Sequence, residues 1–273
     1  MRLKHAVSVF ALWLSGAGMY AGETALPVLD VPYATVKPAM EAKAEDPAWR
    51  NAGVVPQLTL SRESTEGDRV QPTEVRLLWD EQFLYVRFDC RDDRLYLPEA
   101  GRDARLYRGD VVQVFVDPKG DGRQVAEALC NAANDVLDLQ ILLTDEPRSD
   151  ENLLLRPEVR ERDCWLCVDW TMEGLKTAAA KEEKDGRLVG WRVEMALPAK
   201  AVLRRVGLAA FRPMELRANL VRYDWQAPPA ENQKWSLVST NWAPVTQGNP
   251  HYSPAAMGFL KLRPKPAVLG TQE

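Results

Sequence analysis

The chain has 273 residues, 35 of them Lys or Arg and 39 Asp or Glu, which gives a formal net charge of −4. No basic excess is available for the phosphates of a nucleic acid or an anionic lipid surface, so neither is expected as a partner. The length suits one large all-β domain or two small ones, and no internal repeat or low-complexity segment divides it.

The first residues, MRLKHAVSVFALWLSGAGMYAGE, place Arg2 and Lys4 ahead of an apolar stretch from Ala6 to Leu14, followed by small residues up to Ala21. This is the layout of a secretory signal peptide, with cleavage expected after Ala21. The apolar run is shorter than the roughly 20 residues a spanning helix needs, so no transmembrane segment is expected in the mature chain. Losing two basic residues with the signal peptide takes the net charge to about −6. The mature protein is therefore expected to be secreted or periplasmic. Its expected parts are a leader over 22–35, one domain over 36–264 and a flexible tail over 265–273.

Period-two alternation then recurs between turn signals. TEVRLLW sets Val75, Leu77 and Trp79 on one face, and FLYVRFDC sets Leu84, Val86, Phe88 and Cys90 on one face; Asp80 to Gln82 form the turn between them. DVVQVFVD opposes Val112, Val114 and Val116 to Val111, Gln113 and Phe115. CWLCVDW reads as a strand that points Cys164 and Cys167 to opposite sides, which opposes a redox or zinc pair. GWRVEMALP, ELRANLVRYDW and MGFLKLR read as further strands, and LPAKAVLRR as one short helix starting at Pro198. Many short strands with one apolar face each predict an all-β fold, a two-sheet antiparallel β-sandwich.

The succession AWRNA, PTEVRLLWDEQFLYVRFDCRDD, GDVVQVFVDPKGDG, WRVEMALP, ELRANLVRYDW and YSPAAMGFLKL resembles the family 9 carbohydrate-binding modules and their relatives, in order and spacing, from Val36 to Arg263. The resemblance implies a jelly-roll-like sandwich that binds an oligo- or polysaccharide between two aromatic rings, with structural calcium and a partner glycoside hydrolase. It places the first ring at Tyr107, three residues before Asp110, and the second at His251, with Tyr252 beside it. It also places a carboxylate, an Arg and an Asn behind the sugar, where this chain has Gln113, Leu129 and Asn131. Two of the three polar anchors are thus changed.

Trp242 lies in a long polar, proline-rich stretch of the kind where binding residues collect. Asn219 and Arg222 match a polar pair of the family, with an acid such as Glu194 as the expected partner of the arginine. Asp117 and Asp121 in DPKGDG are candidate calcium ligands, although calcium takes six to eight oxygens and this turn supplies two carboxylates. His251 is the only histidine beyond the signal peptide, which excludes multi-histidine metal centres and leaves a Ser-His-Asp arrangement resting on one loop residue, with no nucleophile elbow around any serine. The expected function is non-catalytic sugar binding. The alternatives are an interaction module whose sugar site has degenerated, a haem-binding domain of the same sandwich type, and a glycoside hydrolase.

Overall fold

A computed structural model describes residues 25–61, 69–144, 154–155, 163–226, 236–243 and 257–267. The described strands, in chain order, are β1 (Val28–Val31), β2 (Gly53–Val55), β3 (Thr59–Leu60), β4 (Thr73–Trp79), β5 (Phe83–Arg91), β6 (Val111–Asp117), β7 (Gln124–Cys130) and β8 (Val136–Thr144). They continue with β9 (Leu154–Leu155), β10 (Asp163–Cys167), β11 (Lys176–Lys184), β12 (Arg187–Pro198), β13 (Glu215–Gln226), β14 (Ser236–Asn241) and β15 (Gly258–Leu262). One short helix, α1 (Ala199–Val202), follows β12 with Pro198 at its cap.

Two sheets form, as the alternation predicts. The larger runs β1-β15-β13-β6-β7-β8-β10-β9, with β14 bonded to β13 and to β3; the smaller runs β11-β12-β5-β4-β2. Among the described strands, all pairings are antiparallel except that of β1 with β15. Because β1 joins this sheet, the sandwich begins inside the stretch expected to be a leader.

The valines at 112, 114 and 116 face Val75, Leu77, Trp79, Leu84, Val86, Phe88, Cys90, Trp191, Val193, Met195 and Leu197 in the core between the sheets. The β4–β5 hairpin is closed by Asp80, whose Oδ1 accepts from the backbone N–H of Gln82 and Phe83 at 2.8 Å. The opposite face of β6 builds a second apolar layer. Val111, Phe115, Leu129, Leu137, Leu139, Ile141, Val221, Tyr223 and Met257 are all buried there, on the outer side of the larger sheet.

A buried cation joins the two sheets. Arg222 is 1% exposed and donates to Thr73 Oγ1 (3.0 Å), the Arg91 carbonyl (2.9 Å), Asp92 Oδ2 (2.9 Å) and Asp224 Oδ1 (3.3 Å). Its acids are therefore Asp92 and Asp224 rather than Glu194, which accepts from the Trp49 indole at 3.0 Å and the Ala42 N–H at 3.1 Å. The reason is the pleat: Arg222 points inward between the sheets, whereas Glu194 points to the other side of the smaller sheet.

Candidate functional site

The site lies where β6 begins and β13 ends. Asp110 precedes β6 and is fully buried, and its two carboxylate oxygens each take one backbone N–H, from Tyr96 and from Trp225, both at 2.6 Å. Burial pushes this carboxyl up to about 7 against the pull of those two hydrogen bonds. The staple ties the loop before β6 to the end of β13. Gly109 lets the chain pass: a Cβ there would sit 2.5 Å from the Tyr96 carbonyl oxygen.

Three half-buried rings lie around this staple, two of them, Tyr96 and Trp225, tied to it directly. Tyr107 lies in a single 3₁₀ turn anchored by buried Leu106. It packs, with Trp225, at the border of the outer apolar layer. Tyr96 and Trp225 stand with ring centres 6.2 Å apart at 46°. Beside Trp225 opens a polar cleft of about 280 Å³, lined by Arg69, Gln71, Asp92, Asp93, Arg94, Asp224 and Gln226. Ring faces next to fixed donors and acceptors are what a pyranose needs, since its C–H face packs on an aromatic while its hydroxyls seek partners.

The other residues expected in the site are distributed differently. Gln113 does face the outer layer, but it is 2% exposed, stands between Leu129 and Val221 in the sheet, and its Nε2 has no hydrogen-bond partner. Asn131 is also buried, and its side chain organises the β7–β8 turn instead of facing a ligand. Its Oδ1 accepts from the N–H of Ala133 and Asp135 at 2.9 Å, and its Nδ2 donates to Asp135 at 3.0 Å. Trp242 packs against the inner core, on the opposite side of the sheet from Tyr107, with its ring against Gly258. Local polarity of the sequence does not reveal this, because Trp242 follows directly on β14 and inherits that strand's packing. His251 and Tyr252 lie outside the described residues.

The acidic turn after β6 does not fit calcium. Asp117 spends its oxygens on the backbone N–H of Lys119, Gly120 and Gly122, at 3.1, 2.9 and 2.7 Å. Asp121 receives a two-point hydrogen bond from Arg205, at 2.7 and 2.9 Å, with Lys119 3.0 Å away. Among the described residues no cluster of three His, Cys, Asp or Glu side chains could hold a metal ion. Nor, among the described residues, is any helix long and apolar enough to cross a membrane.

Two features of the site have no signal in the sequence. Tyr96 sits in a stretch without periodicity, and the Asp110 staple ties it to Trp225. Asn241, at the end of β14, is 2% exposed with neither Nδ2 nor Oδ1 partnered. Leaving such a buried group unpaired costs about 1–3 kcal/mol.

Residues 40–140 match a family model described as carbohydrate family 9 binding domain-like. Among solved structures, the fold is similar to that of a candidate carbohydrate-binding protein from Bacteroides uniformis (16% identity, TM-score 0.62, 88% of this chain and 100% of that one). It is also similar to a family 9 carbohydrate-binding module from Caldicellulosiruptor kristjanssonii solved with cellotriose (16% identity, TM-score 0.56, 90% and 100%). A family 9 module from Caldicellulosiruptor kristjanssonii solved with glucose matches at 16% identity and TM-score 0.56, over 89% of this chain and 100% of that one. No curated protein matches the chain in sequence.

Proposed function

We propose that this family 9-like sandwich is a secreted, non-catalytic carbohydrate-binding protein that holds an oligo- or polysaccharide at its loop end and supports polysaccharide degradation by a partner glycoside hydrolase. The observation that carries the reading is the pair of rings Tyr96 and Trp225, held at one end of the sandwich by the two 2.6 Å bonds of Asp110, with Tyr107 in the turn just before that aspartate. The modules similar in fold, solved with cellotriose and glucose, support it. Stacking supplies most of the affinity, because Gln113 and Leu129 stand where a carboxylate and an arginine are expected. Binding is therefore nearly insensitive to salt. A small site of this kind reaches dissociation constants on the order of micromolar to millimolar.

A glycan array probed with the folded, mature protein is the test. Binding to a defined group of saccharides, without cleavage products, supports the proposal. A blank array with folded protein overturns it in favour of the interaction-module reading, which the apolar packing of Leu129 and Val221 on the outer face favours.

A further inference from the structure

Leu129, Gln113, Val221 and Asn241 stand abreast on four neighbouring strands, β7, β6, β13 and β14. Cross-strand partners share a face, so all four side chains project to the outer side of the larger sheet. At about 4.8 Å between strands, the backbones of Gln113 and Asn241 are roughly 10 Å apart with Val221 midway. The row holds a donor without a partner, Gln113 Nε2, on one side of Val221, and an amide without partners, Asn241 Nδ2 and Oδ1, on the other. No charged side chain belongs to it. Glu127, two residues along β7 on the same face, has a partner of its own.

Resting on the saccharide reading above, we infer that the site takes a sugar bearing an acetamido group, bridged between Gln113 and Asn241 over Val221. A trans secondary amide points its N–H and its C=O in opposite directions. Its N–H donates to Asn241 Oδ1 while its carbonyl accepts from Gln113 Nε2. The bridge from acceptor to donor measures about 8 Å, two hydrogen bonds and the amide between them, which suits the two side chains reaching toward each other across one strand. The acetamido methyl then rests on Val221, and Asn241 Nδ2 is left to donate to a neighbouring ring hydroxyl. A plain hydroxyl at the same carbon cannot span the two amides and sets a polar group on the aliphatic surface. The amides are shielded from water in this structure, so the sugar reaches them by parting the side chains over this face.

Calorimetry of the mature chain with N,N′-diacetylchitobiose, cellobiose and the unacetylated chitosan disaccharide tests the inference. The acetylated disaccharide is expected to bind at least tenfold more tightly than either other sugar. Gln113→Leu and Asn241→Leu should each reduce that preference below threefold, while Tyr107→Ala weakens all binding alike. If cellobiose binds as tightly as the acetylated sugar, or if both leucine variants keep the preference, the acetamido assignment is overturned and the saccharide reading stands. If no saccharide binds in calorimetry or on the array, that reading falls and the assignment with it.

Discussion

Gln113→Leu should make the protein more stable. The side chain is 2% exposed, its cross-strand neighbours are Leu129 and Val221, and its Nε2 has no acceptor. A buried donor without a partner costs about 1–3 kcal/mol, and leucine removes that cost while joining an aliphatic row. The shape differs, since leucine branches where glutamine does not, and imperfect packing returns part of the gain, commonly less than about 1.5 kcal/mol. A net gain of about 1.5 kcal/mol raises the melting temperature of a domain this size by roughly 3–6 °C. Differential scanning calorimetry of both proteins in one buffer, without sugar, measures it. A melting temperature that falls, or does not move, would show that the amide has a partner in solution and would remove the basis for a ligand at this position.

Other expectations follow from the same geometry. Arg222→Leu strands Asp92 and Asp224 as buried carboxylates and should cost about 3–5 kcal/mol in urea unfolding; a loss under about 1 kcal/mol refutes its role as the tie between the sheets. Burial holds Asp110 up at about 7 in the fold, above its unfolded value of 3.8. Its contribution to stability is therefore fully present below 3.8 and is lost as pH rises through about 7. A carboxyl ¹³C titration with a midpoint near 7 is expected, and a midpoint near 4 contradicts it. Burial pushes the Cys90 and Cys130 thiols up to about 12. Alkylation of the native protein at about pH 8 should thus spare both and modify half-exposed Cys167 first; equal labelling of the three would refute the burial of Cys90 and Cys130.

The fold was legible because alternation is a direct consequence of burying one face of a strand. Val112, Val114 and Val116 point to the core for that reason. β11 was not legible: KTAAAKEEK is rich in good helix formers, yet nine residues pair with β12, because an open sheet edge outweighs weak local preference. The candidate site was half legible. Tyr107 lies in the turn that leads into β6, since its position depends on the short connection to Asp110. Asn131 and Trp242 do not serve as expected, because a side chain that closes its own turn, or packs under a neighbouring strand, looks in sequence like one that is free to bind. The pairing of Gln113 with Asn241 across Val221 is a matter of register between residues far apart in the chain, and no local pattern encodes it.

The central claim is that rings at the loop end hold a sugar, and Tyr107→Ala examines it most directly. Isothermal calorimetry should compare wild type and variant against the tightest saccharide on the array, with the melting temperature recorded for each. A tenfold or greater loss of affinity, about 1.4 kcal/mol, in a variant that still unfolds cooperatively is predicted. Equal affinity for the two proteins would contradict the account.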